Sequence, residues 1–165
     1  MKRRNSIPAF IVLLLIAFAV SLILFIYFSI VNSPSNQAEA AVEEFYTYEQ
    51  DGNFAESWSM FHPYMKAKFE KGHYLQDRAH VFLNHFGVQT FEFSLEDSEL
   101  LKDFQIEDGV EPIGEVYQVT VTQRFEGKYG NFSIVQDVYT TELDGEWLVL
   151  WDYKKTEKNE ETESN

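Results

Sequence analysis

From Ile7 to Val31 the chain reads IPAFIVLLLIAFAVSLILFIYFSIV, without one charged residue. As a helix rising 1.5 Å per residue this stretch is about 37 Å long, against a bilayer hydrocarbon core of about 30 Å. It is long enough to span a membrane with some tilt. Lys2, Arg3 and Arg4 precede it, and no Lys or Arg follows until Lys66. That asymmetry places residues 1–6 as a basic cytoplasmic tip and everything after Val31 outside.

A cleaved signal peptide is the alternative, since Ala38-Glu39-Ala40 has the small-x-small pattern of a cleavage site. The apolar run is about twice the usual signal core of roughly 7–15 residues. The Ala-Glu-Ala site also falls beyond it, inside the next helical pattern. A retained single-pass anchor over residues 7–31 is therefore expected. The chain has no Cys, which excludes a lipoprotein anchor, disulfides, thiolate catalysis and Cys-ligated zinc.

What remains is enough for one domain with a core. Aromatic residues make up 16% of the chain, which favours packing over disorder. Net charge is −14, and removing Lys2, Arg3 and Arg4 takes the rest to about −17. Such a surface repels nucleic acid and anionic headgroups, so neither is an expected partner of the domain.

Residues 32–35 read as a polar linker, and Asn36-x-x-Glu39 as a capping-box-like helix start. Ala38, Ala41, Val42, Phe45 and Tyr48 follow at helical spacing. Asp51-Gly52 closes that helix, and Asn53-x-x-Glu56 starts a second with Phe54, Trp58 and Phe61. Pro63 disfavours helix at His62. A short helical piece is expected over 64–70, a break at Lys71-Gly72, and a longer helix from His73 to Phe86 ending at Gly87. Its stripe is Leu75, Ala79, Phe82 and Phe86.

From Val88 the period becomes two. Phe91, Phe93 and Leu95 alternate with polar residues, as do Tyr117, Val119 and Val121. Residues 98–106 read as either a strand or irregular chain. Gly127 to Gly130 is a turn, Phe132 to Leu143 a long strand, and Asp144-Gly145 a two-residue hairpin loop. Trp147, Val149, Trp151 and Tyr153 form one face of the last strand. Residues 154–165 lack large apolar side chains and are expected to be disordered. Helices followed by an antiparallel sheet read as α+β.

In this order residues 36–153 resemble the NTF2-like (cystatin-like cone) superfamily. The residues that carry the resemblance are the first helix Ala38 to Gln50, the run DGNFAESW from Asp51 to Trp58, and the break at Phe61-His62-Pro63. The hairpin YTTELDGEWLV from Tyr139 to Val149 completes it. With the anchor, the chain is similar to small membrane-tethered NTF2-like proteins of Gram-positive envelopes. It also resembles the non-catalytic N-terminal domains of some penicillin-binding proteins. The resemblance implies helices packed on a curved antiparallel sheet, with a pocket between them. His62, Tyr64, Phe82, Phe86, Tyr117, Asp137 and Tyr139 are the candidate pocket-lining residues. It also makes a homodimer through the outer sheet face an expectation. The fold hosts enzymes, binders and scaffolds alike, so it does not fix a function.

Candidate chemistry is sparse. His73, Asp77, His80 and Asn84 share one helix face, a pattern open to metal binding or proton transfer. That face points about 140–200° away from the apolar stripe on a helical wheel, and so to solvent. His85 and Arg78 lie at the stripe's edge. Tyr46, Tyr48, Tyr64, Tyr117, Tyr139 and Arg124 offer polar groups, none paired in sequence with an obvious base. Asp137, mid-strand, is the best single carboxylate, with its face undetermined. No phosphate loop, serine-nucleophile or zinc motif occurs. No ionisable pair is expected to meet in the hollow, and no cofactor or metal is implied. The expected function is a non-catalytic interaction module docking on another envelope protein. The alternatives are a binder of a small apolar ligand and an isomerase- or cyclase-like enzyme.

Overall fold

The computed structural model of the chain describes residues 8–80, 88, 90–107, 109–128 and 130–151. Its first element is α1, Ala9–Val31. The apolar span Phe10–Val31 leaves none of its length buried against the rest of the protein. A water-soluble helix buries at least one stripe, so this surface is suited to lipid.

Helix α2, Pro34–Gln50, follows after only Asn32 and Ser33. The expected linker over 32–35 and cap at Asn36 are corrected here. Pro34, with no N–H to satisfy and a fixed φ, takes the first helical position. Ser33 is the cap, its hydroxyl accepting from the Asn36 N–H at 3.3 Å. The amides at 36 and 37 turn back instead. Asn36 Nδ2 donates to the Ile30 carbonyl at 2.7 Å and Gln37 Nε2 to the Asn32 carbonyl at 2.9 Å. They add donors to carbonyls at the end of α1, where Ile30 also accepts from the Ser33 N–H at 3.0 Å.

Helix α2 turns Ala38, Ala41, Val42, Phe45, Tyr46 and Glu49 inward. Gly52, at φ +73°, ends it, with Asn53 N–H on the Tyr48 carbonyl and Gly52 N–H on that of Glu49. This is a Schellman close, which requires the left-handed conformation that glycine adopts freely. Helices α3 (Phe54–Ser59), α4 (Pro63–Lys68) and α5 (Lys71–His80) follow. The break expected at Lys71-Gly72 falls at Phe69-Glu70, because the Glu70 carboxylate accepts from the His73 N–H at 3.0 Å and starts α5 two residues early. The expected continuation of this helix to Phe86 lies outside the described residues.

Five strands form one antiparallel sheet: β1 (Glu92–Leu95), β2 (Glu99–Phe104), β3 (Ile113–Gly127), β4 (Gly130–Leu143) and β5 (Glu146–Trp151). The order is β1-β3-β4-β5, with β2 also on β3, so residues 98–106 do hold a strand. Strands β1 and β2 lie end to end along β3. Leu95 pairs with Val121 and Glu99 with Gln118, leaving one extra residue between them, a bulge. This bulge is pinned to α2: Ser98 N–H donates to Glu39 at 2.8 Å and its hydroxyl meets that of Ser35 at 2.6 Å. Asp144 and Gly145, both at positive φ, make the two-residue loop between β4 and β5. The outer side of β5 is closed by residues 60–62, with Val149 N–H on the Met60 carbonyl and His62 N–H on that of Val149.

The sheet carries apolar residues on both faces. Toward α2, Val119, Val121, Phe125, Val138 and Val149 pack with Phe45, Phe61 and Trp151. The Phe45 ring lies 5.3 Å from Phe61 and 5.5 Å from Trp151. On the other face Tyr139 stacks on Phe104 at 4.5 Å. Lys68 of α4 pairs with Glu107, beyond β2, at 2.7 Å.

Candidate functional site

The inward face of α5 is more polar than its sequence suggested. Tyr74 is buried and Arg78 half-buried, so the stripe includes Tyr74 and Arg78 alongside Leu75 and Ala79. Both reach Glu49, the last inward residue of α2, whose side chain is fully buried. Glu49 Oε1 accepts from the Tyr74 hydroxyl at 2.7 Å and from Ser57 of α3. Glu49 Oε2 accepts from Arg78 Nε at 2.6 Å and forms an ion pair with the other arm of the guanidinium. Arg78 lies 5.4 Å over the Trp151 ring. The expectation that no ionisable pair meets in the interior is thus corrected. One carboxylate joins three helices and the last strand.

The chemistry of this cluster follows from its saturation. Both Glu49 oxygens hold two donors each, and an arginine, which does not lose its proton, neutralises the charge. A general base needs a free lone pair within reach of a substrate proton. Burial, and then the Glu49 charge, push the Tyr74 hydroxyl well above its ordinary pKa, so it is a fixed donor. The Tyr46 hydroxyl is raised chiefly by burial, while Arg78 pulls it slightly down. Trp151 lies close enough to lower it a little, yet the two do not reach hydrogen-bonding geometry. Tyr46 Oη, Trp151 Nε1, Gln123 Nε2 and Thr140 Oγ1 are buried without a hydrogen-bond partner among the described residues. The strand register puts Gln123, Thr140 and Trp151 on the α2 side, in phase with Val119, Val138 and Val149.

Of the candidate pocket residues, the described ones lie at separate places in the fold. His62 is buried as the cap of α4, its Nδ1 accepting from Tyr64 N–H at 3.2 Å, and half-buried Tyr64 packs on its ring at 4.8 Å. Burial, with Lys66 second, lowers the His62 pKa. Tyr117 is on the α2 side but against Trp147, at 5.6 Å. Asp137 and Tyr139 are on the opposite face, because β4 alternates and Val138 points toward α2. Asp137 accepts from Thr120 at 2.7 Å across the strands. Phe82 and Phe86 lie outside the described residues, as do Asn84 and His85. His73, Asp77 and His80 are exposed. No group of three or more metal-ligating side chains occurs among the described residues. Tyr48 is half-buried and its hydroxyl donates to Glu44 at 3.1 Å, and Arg124 is exposed.

Two surface clefts are lined by described residues. One, of about 570 Å³, has Phe91, Phe125 and Phe132 in its wall and Gln50, Glu92 and Arg124 at its rim. The other, of about 520 Å³, runs between α2 and β5 beside Trp147. No protein-family model matches the chain, and no curated protein is significantly similar to it.

Proposed function

We propose that the protein is a membrane-tethered, extracytoplasmic, non-catalytic module of NTF2-like type that docks on another envelope protein. The observation that carries this reading is the junction of α1 and α2. A helix suited to lipid passes, within two residues, into a helix whose inner face belongs to the domain core. Side chains from the second helix bond the end of the first. The basic tip before α1 orients the domain outward. The saturated Glu49 network supports a structural role for the only ionisable cluster described in the interior. Photo-crosslinking from the exposed face of α5 in intact native cells tests docking. A discrete adduct with a different protein is expected, and recovery of uncrosslinked chain alone contradicts it.

A second reading, binding of a small apolar ligand, draws on the aromatic wall of the larger cleft. Its test is a thermal shift of the full chain with apolar ligands. A shift abolished by Phe132→Ser supports it, and no shift removes it.

A further inference from the structure

Among the described residues the outer sides of β1 and β2 pair with no strand, and the first half of β4 is a further edge without one. Strand β5 covers β4 only from Val138 to Leu143. Across the type I′ loop at Asp144-Gly145 the closing pair Leu143–Glu146 exchanges both backbone bonds. The odd residues of β4 therefore aim N–H and C=O toward the β5 side. The β3–β4 register runs without a bulge from Tyr139 to Asn131, so this alternation persists. Asp137, Val135, Ser133 and Asn131 then present backbone groups that pair with no strand among the described residues. Val135 is 65% exposed and Ile134 37%. Between Gly130 and Gln136 there is no Lys, Arg or Pro, the residues that usually blunt an edge.

We propose that this edge pairs with the same edge of a second copy of the chain, antiparallel, with Ile134 opposite Ile134 of that copy. A two-fold axis normal to the sheet preserves its faces, so only residues of equal parity can lie opposite each other. Centring on Ile134 uses all of Asn131–Asp137. It sets Ser133 opposite Val135 and the Asn131 amide opposite Asp137, with no like charges facing. Centring on Val135 instead drives Phe132 and Asn131 against Val138 and Tyr139, both already paired with β5, whereas centring on Ile134 brings only the terminal Gly130 to Val138. The second copy fits better than an unrelated strand because this register matches the edge to itself in length, face and charge. The strong negative charge of each domain opposes approach, so pairing strengthens as salt rises.

The test uses the full chain in liposomes, with no native cysteine to interfere. In a non-hydrogen-bonded antiparallel pair, facing Cα atoms are about 4.5 Å apart, within disulfide range. Ile134→Cys is expected to give an oxidised dimer, several-fold more than Val135→Cys, whose two copies sit diagonally at about 7–8 Å. Val135→Pro removes an outward N–H and no bond to β3. It is expected to abolish the Ile134→Cys dimer without changing circular dichroism. If that variant misfolds, the contrast between positions 134 and 135 still decides. No crosslink at Ile134→Cys overturns the proposal, including the case where another strand, or the chain's own C-terminal continuation, holds the edge. Equal crosslinking at both positions also overturns it. The liposomes contain no envelope partner, so this outcome is separate from the docking test.

Discussion

Helices α1 and α2 are neighbours in sequence and share one backbone geometry, yet they are built for different solvents. Helix α1 exposes Leu13, Leu15, Phe18 and Phe25, each 60% or more open. Helix α2 exposes Glu43, Glu44 and Thr47 and buries Val42 and Phe45 completely. The contrast teaches that apolar content alone does not make a core. What makes one is a stripe with a partner, and no stripe of α1 is buried against the described residues of the domain.

The largest expected effect separates the two helices. Phe45→Ala empties a site packed by Tyr46, Phe61 and Trp151 and is expected to cost about 3–5 kcal/mol in chemical denaturation of the detergent-solubilised chain. Leu15→Ala in α1 is expected to leave that transition unmoved. If both shift it alike, α1 is part of the folded domain and the contrast fails.

The next effect sharpens what α2 does at its inner end. Arg78→Met leaves the buried Glu49 carboxylate without its counter-charge, which costs about 3–5 kcal/mol in buried pairs. Arg78 is 22% exposed, so the low end is expected. Replacing Glu49 and Arg78 both by Met is expected to be milder than Arg78→Met alone. A double variant as weak as the sum of the singles would show that the two groups do not interact.

Much of the sheet was legible because period two survives in short runs. Phe93 and Leu95, Val119 and Val121, and Trp147 and Val149 all face α2 as their alternation implied, and Asp144-Gly145 made its loop. The face of Asp137 was also within reach. Counting back from the Gly127–Gly130 turn puts it opposite Thr120, out of phase with Val119 and Val121. The polar cluster was missed because a glutamate reads as solvated. Yet Glu49 lies four residues after Phe45 and seven after Val42, so it continues their stripe. Tyr74 and Arg78 are likewise one helical turn apart. What no spacing reveals is that the two stripes meet, since that depends on how α3 and α4 return the chain.

A smaller effect is pH dependence. The His62 pKa is lowered in the fold, chiefly by burial, so the unfolded chain binds its proton first as pH falls. Its contribution is complete above the ordinary value near 6.5 and is lost progressively below it. The unfolding midpoint is expected to drop between about pH 7 and pH 5. His62→Asn, which keeps a capping acceptor and cannot titrate, is expected to flatten that drop. An unchanged slope would assign the drop to other groups.

The most direct measurement concerns α1 itself. A cysteine at Glu56, on the exposed side of α3, provides a single thiol in intact cells. If α1 holds the domain outside the bilayer, a membrane-impermeant maleimide labels it without lysis. The labelled species then stays in the membrane through an alkaline wash at the full mass of 19.3 kDa. Labelling only after lysis, or a shortened chain free in the medium, would contradict the anchor.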